Sequence, residues 1–272
     1  MSTFEHGYSQ EYLEYLRNIK RKKKIVLVWQ CSLLVGFTLL WQLAANKGWI
    51  DTFIFSSPVL ICKTIANLSK SSSLFRHIFV TVLETVAGFV VGTIVGTLVS
   101  IMLWWFPTVA KIFDPYLVIL NALPKVALGP LILVWVGMGI KAILVMTLAI
   151  ALISTIITVY GGFIQTDEEK TLLLQSFGAT KTQLLFKVLL PASYENIVNA
   201  LKINIGLSWV GVIMGEFLVS KAGIGYLIMY GSQVFNLNLV MSAVIMLAIA
   251  AALMYFGISA LEKIIGKRFR SN

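Results

Sequence analysis

Residues 172–191 read LLLQSFGATKTQLLFKVLLP, and this stretch decides how the whole chain is organised. It carries Gln175, Ser176, Thr180, Lys181, Thr182, Gln183 and Lys187, with Gly178 in its middle and Pro191 at its end. Upstream, Asp167 to Phe177 has the composition of a short helix, and its acids lie in the first turn, where the helix dipole favours them. Gly178 suits the position after a helix, where a left-handed conformation is cheap for glycine. Thr180, with Gln183 three residues on, has capping-box spacing, and a second helix from Leu184 to Leu190 is expected to stop before Pro191. The pattern is helix, tight turn, helix, with Leu172, Leu173, Leu174 and Phe177 supplying an apolar side.

The surroundings explain why a polar segment stands out. Of 272 residues 58% are hydrophobic and 12% charged, with a mean hydropathy of +0.87. Soluble domains carry about 25% charged residues, so the chain reads as a multi-pass membrane protein. A helix needs about 20 apolar residues to cross the hydrocarbon layer. Six stretches qualify: 25–45, 78–106, 116–136, 142–163, 197–219 and 239–261. The first is too long for a signal-peptide core and is expected to be retained. One domain is expected over 25–262, containing the polar loop at about 165–191. A basic segment, 1–24, precedes it and a basic tail, 263–272, follows.

The net charge of +10 sits in two clusters, Arg17 to Lys24 and Lys263 to Arg270, both flanking apolar spans. That placement argues for membrane orientation and against nucleic acid as a partner. With the N-terminus inside, inner segments hold fourteen Lys and Arg and outer ones six, so both termini and the 172–191 stretch are expected in the cytoplasm. Cys31 and Cys62 are too few and too isolated for a disulfide framework. His6 and His77 do not suggest a metal site, and no phosphate-binding glycine loop or hydrolase motif occurs.

Within the spans, Gly88, Gly92 and Gly96 line one helix face and permit close backbone approach, to a neighbouring helix of the chain or to another subunit. The third span, broken by Pro124 and Pro130, is expected to face protein or a wet cavity, because freed backbone groups must be satisfied. Glu84, Lys125, Lys202 and Glu216 are ionisable residues inside spans and therefore functional candidates. Lys125 is placed to meet an anionic substrate, or else to pair with Glu84 or Glu216. Lys202 reads as a side chain reaching the interface. Ser56-Ser57-Pro58 reads as a helix start. On residue chemistry alone, the 172–191 segment is most simply an amphipathic clip on the membrane surface.

A resemblance changes that reading. SFGATKTQLLFKVLLPASYENIVNALKINIGLSW, with MGEFLVSKAGIGYLI downstream and LPKVALGPLILVWVGMG upstream, resembles the permease subunits of binding-protein-dependent ABC importers. The branch it looks like includes nitrate, sulfonate and taurine permeases, and the likeness covers roughly residues 55 to 262. Gly178 and Leu190-Pro191 match the family motif at the expected spacing, and Glu216 stands at a family position near the outer end of the fifth span, which implies a gate or a structural pair. The chain departs where the motif has Glu-Ala-Ala, since Leu172-Leu173-Leu174 stands there, and a second proline common in the family is replaced by Glu195.

The resemblance implies an all-α integral membrane fold of the type I ABC importer permease class, with six transmembrane helices and a cytoplasmic coupling helix-turn-helix. Gln175, Ser176, Phe177, Gly178, Ala179 and Thr180, followed by Leu190 and Pro191, would dock on a cytoplasmic ATPase. ATP and Mg would be bound by that partner, and this chain would be neither an enzyme nor a cofactor binder. A second permease copy, two ATPase subunits and an extracytoplasmic binding protein are the implied partners, in a bacterial inner membrane. The cargo is expected to be a small anion or a vitamin precursor. An ion-coupled secondary transporter is the alternative; it would show inverted repeats, which the sequence does not display.

Overall fold

A computed structural model of the chain describes residues 10–71 and 73–270, and within them all side chains except those of Gln10, Leu13, Glu168, Leu261 and residues 263–270. The chain divides into two units, Met1–Lys63 and Thr64–Asn272. In the first unit α1 runs from Gln10 to Asn46, 37 residues without a break. It continues the apolar span back through the basic block, because Lys and Arg are good helix formers. A short helix α2, Thr52–Phe55, is capped by Asp51, which accepts from the Phe53 N–H at 2.8 Å. The helix α3, Pro58–Lys70, starts where Ser-Ser-Pro predicts, and Ser57 Oγ accepts from the Leu60 N–H. The Gln42 side chain on α1 accepts from the Val59 N–H at 3.1 Å, satisfying a free donor at the start of α3.

In the second unit α4 spans Ser73–Trp105 and is followed by α5, Pro107–Ala122. A 3₁₀ turn, Lys125–Leu128, leads into α6, Gly129–Val136. Next come α7, Ile140–Ile164, and α8, Glu168–Ser176. The short helix α9, Lys181–Leu184, passes through a π turn, Leu185–Leu189, into α10, Leu190–Ala192. The chain ends with α11, Tyr194–Val219, α12, Ile224–Gln233, and α13, Leu237–Arg270. Among the described residues five helices are long and apolar enough to cross a membrane, and a sixth crossing is available if α5 and the 125–136 segment count as one bent span.

Two expectations need correction. The third span, expected over 116–136 with breaks at Pro124 and Pro130, starts earlier and breaks once. It begins at Pro107, so 107–114 is the first half of a helix and not a connecting segment, and α5 meets the 125–136 segment at a bend of 89°. The break falls at Leu123-Pro124, whereas Pro130 sits in the first turn of α6, where its missing N–H costs nothing. The second correction concerns Pro191, which does not end the second helix of the 172–191 stretch. The π turn shifts the hydrogen-bond register so that the Leu190 N–H reaches Leu185 O, and helix continues past the proline. The sixth stretch lies where it is expected, within α13, and the helix runs on to Arg270; the tail's basic side chains lie outside the described ones.

The core of the second unit is the packing of α4, α7 and α11. A Cβ at Gly88 would stand 2.5 Å from Thr147, and one at Gly96 2.6 Å from Thr155; Gly92 faces Ala151 at ordinary contact distance. From α11, Gly211 lies against the Thr147 backbone and Gly215 against that of Ile143. The glycine stripe of α4 thus faces α7 of the same chain. Without a hydrophobic force between helices in lipid, such close approach and interhelical hydrogen bonds carry the association. Ser100 Oγ donates to Ile156 O at 3.3 Å, and Asn204 on α11 donates to Thr155 Oγ1 on α7.

Candidate functional site: a capped helical turn and a buried polar latch

The α8–α9 segment is built locally. Asp167 caps α8 by accepting from the Glu169 N–H at 3.0 Å. At the other end the Gly178 N–H donates to Gln175 O and the Ala179 N–H to Leu174 O, at 2.8 and 3.0 Å. These two bonds are a Schellman closure, and they require Gly178 in the left-handed region, at φ 80°. Thr180 Oγ1 then accepts from the Gln183 N–H at 3.3 Å, while Gln183 Oε1 accepts from the Thr180 N–H at 2.8 Å, a complete capping box.

This segment is not a clip lying loose on a surface. Leu184, Leu185 and Leu189 are buried, and the last two pack with Val159 and Phe163 of α7 and Ala200 of α11. Ser193 Oγ donates to Gly162 O at 3.1 Å, and Lys181 Nζ reaches Trp105 O at the end of α4. The other side is open. Gln175, Ser176, Phe177, Gly178 and Thr180 are exposed, Ala179 is half-buried, and Phe177 retains 78% of its surface. Leu172 and Leu173, in place of the motif's acidic and small residues, are exposed as well. Leu190 is half-buried and Pro191 exposed. A helical turn welded by one face to the transmembrane core and presenting an apolar tip by the other can pass a push from the tip into α7 and α11.

The opposite end of the same three helices holds a buried polar latch. Glu216, at 1% exposure, receives the Thr81 hydroxyl on one carboxylate oxygen at 2.7 Å and the Gly225 N–H on the other. Thr81 Oγ1 accepts from the Ile224 N–H at 2.7 Å, and His77 Nδ1 from the Gly223 N–H at 2.9 Å. The first N–H groups of α12 are therefore satisfied by α4 and α11, the role a carboxylate plays well at a helix N-terminus. Glu84, also buried, sits against the Glu216 carboxyl, and one of its oxygens has no partner among the described residues. His77 also stacks on Tyr226.

Lys125 is elsewhere. It lies in the 3₁₀ turn of the bent α5–α6 segment, and its Nζ donates to Asn121 O and Oδ1 at 3.3 and 3.2 Å. Among the described residues it forms no ion pair, so neither Glu84 nor Glu216 is its partner. Lys202 pairs with Glu262 of α13 at 2.8 Å and does not simply reach into the interface. No group of three metal-ligating side chains occurs among the described residues. Sequence reasoning missed His77 and Thr81. A signal existed, because Thr81, Thr85, Gly88, Gly92, Gly96 and Ser100 recur at three- or four-residue steps, extending the glycine stripe at both ends.

Residues 88–271 match the family model described as binding-protein-dependent transport system inner membrane component. Relatives agree along most of their length. A "Probable ABC transporter permease protein" of Haemophilus influenzae is 29% identical, covering 83% of this chain and 92% of that protein. The formylaminopyrimidine transport permease protein ThiX of Halalkalibacterium halodurans is 25% identical over 84% and 90%. The taurine transport system permease protein TauC of Escherichia coli is 23% identical over 92% and 94%. Among solved structures, a chain of the inward-facing MetNI methionine ABC transporter superposes with a TM-score of 0.58 at 20% identity, covering 70% of this chain and 96% of that one, and so shares the fold. A multi-pass chain with this core and this family match belongs to the binding-protein-dependent transport system inner membrane components, the permeases of ABC importers.

Proposed function

We propose that this chain is the membrane half of an ATP-driven importer of a small anion, with a sulfonate as the preferred cargo class. The carrying observation is the α8–α9 turn, closed by its own caps, fused to α7 and α11, and exposing Phe177 to a partner. An ATPase gripping that tip would convert closure of its own subunits into rigid-body movement of the helices, the motion alternating access needs. ATP and Mg bind on the ATPase. Two copies of the chain enclose one pathway, the α8–α9 end and both termini face the cytoplasm, and a binding protein delivers cargo on the other side. The relation to a taurine permease supports a sulfonate group on the cargo, and Lys125, whose Nζ donates to Asn121 at the bend and has no acidic partner among the described residues, is the cation that would meet it. The relation to a formylaminopyrimidine permease marks the competing cargo class.

Gly178→Arg places a long cation at the tip, where an added Cβ would meet nothing within 4 Å. Uptake is expected to be lost, while the melting temperature of the purified variant falls only by the modest amount that a side chain in the left-handed region costs, about 1–2 kcal/mol. Normal uptake by this variant would remove the coupling assignment. Lys125→Ala is expected to lower sulfonate uptake about tenfold or more, on the scale of a lost hydrogen bond to a charged group. Unaltered transport of sulfonates by that variant would retire the role of Lys125.

A further inference from the structure

We propose that the basic block of α1 is a binding site for anionic phospholipid headgroups. The inference uses only the membrane placement of α1 and is independent of the cargo and coupling reading above. Lys20, Arg21, Lys22, Lys23 and Lys24 are consecutive, and all are exposed on an unbroken helix. Successive residues turn by about 100°, so five in a row encircle the helix as a collar. No single neighbouring protein surface can satisfy a full circle of cations. Arg17 adds a sixth charge one turn earlier, on the face of Lys20, Arg21 and Lys24. Among the described residues none of the six forms an ion pair, although Glu11 and Glu14 lie on the same helix.

The depth of the collar matches the occupant. No charged residue stands between Lys24 and Lys47, a rise of about 34 Å, slightly more than the ~30 Å hydrocarbon layer. At the far end Lys47 lies over the Trp49 ring, a pair suited to the opposite interface. Lys20 to Lys24 then climb about 6 Å through a headgroup layer some 5–7 Å deep. A collar of cations at that level, open on every side, fits phosphodiester headgroups gathered around the helix. It also goes beyond orientation, which needs the charges only on one side of the membrane and not at one depth.

The test measures retained lipid. The full chain in its complex is reconstituted into nanodiscs of equal phosphatidylcholine and phosphatidylglycerol, then released, and the lipids that stay bound are counted by native mass spectrometry. Wild type is expected to retain phosphatidylglycerol preferentially. Each cation in contact is expected to contribute roughly fivefold. The triple variant Lys22→Gln, Lys23→Gln, Lys24→Gln should therefore lose more than tenfold, and the matching Lys→Arg triple should lose nothing. Lys22→Gln alone leaves five cations to hold the orientation and should still lose several-fold. Equal retention of the two lipids by wild type, or an unchanged ratio in Lys22→Gln and in the triple variant, overturns the proposal. So does loss of a co-purifying protein from the triple variant with the lipid ratio intact, which would make the collar a protein contact.

Discussion

Each end of the α4–α7–α11 core carries a turn led by a glycine at positive φ, and the two turns are held in opposite ways. At the α8–α9 end Gly178, φ 80°, is flanked by bonds that all close within ten residues of sequence: the Schellman pair and the capping box. At the α12 end Gly223, φ 119°, is held by residues 146 and 143 positions away, through His77 on its own N–H and Thr81 on the next. Space differs too. A Cβ at Gly178 meets nothing within 4 Å, whereas one at Gly223 would overlap the Glu216 carboxylate. The first turn is specified locally and left free on its outer side, as a docking element should be. The second is specified by the tertiary structure and is closed to change, as a structural lock should be.

Gly223→Ala breaks this comparison most directly. It combines a backbone conformation that a side chain resists, costing about 1–3 kcal/mol, with overpacking of about the same size. A total of about 2–6 kcal/mol is expected, read as a large drop in melting temperature of the detergent-purified chain. An unchanged melting temperature would show that the latch yields without cost. Glu216→Ala comes next. It strands the Thr81 hydroxyl and the Gly225 N–H in a buried site, at about 1–3 kcal/mol for each unmet group. Glu216→Gln keeps one acceptor and should recover part of the loss. Equal melting temperatures for the two variants would mean that the carboxyl's bonds do not hold α12.

The contrast also explains what could be read from the residues. The α8–α9 turn was legible down to Asp167, Gly178, Thr180 and Gln183, since its hydrogen bonds join neighbours and each has a compositional signature. Its continuation past Pro191 was not, because a π turn depends on register and leaves no fixed residue pattern. Apolar runs of membrane length marked the crossings, but the 89° bend beyond Leu123 and the helix before Tyr116 depend on how the chain is packed. Glu216 and Glu84 stood out as charges in spans. Their union with Thr81 and the start of α12 did not, because no local spacing links residues 135 positions apart.

Gly178→Ala sharpens the comparison from the other side. The same substitution made at Gly223 meets a wall, while here only the left-handed backbone is penalised, by about 1–2 kcal/mol. The expected result is the same modest loss of melting temperature as in Gly178→Arg, with uptake retained where the arginine variant loses it. If Gly178→Ala were as damaging to stability as Gly223→Ala, the outer side of the turn would be filled by protein in the assembled molecule, and the free-tip description would fail.

The smallest expected effect is that of Thr180→Ala, which removes the Oγ1 acceptor from the Gln183 N–H and leaves the Gln183 side chain with half of a capping box. Loss of such a cap costs about 1 kcal/mol. Because Leu185 and Leu189 still anchor the following turn to α7 and α11, that cost should appear as fraying of α9 and not as unfolding of the core. Amide hydrogen exchange is the direct measure: faster exchange at residues 181–183, with α7 and α11 unchanged. Thr180→Ser and Thr180→Asp, which restore an oxygen at the cap, should return exchange to the wild-type rate. Faster exchange spreading into α7 would mean instead that the capped turn helps hold the transmembrane core, and that the two ends differ less in kind than their hydrogen bonds suggest.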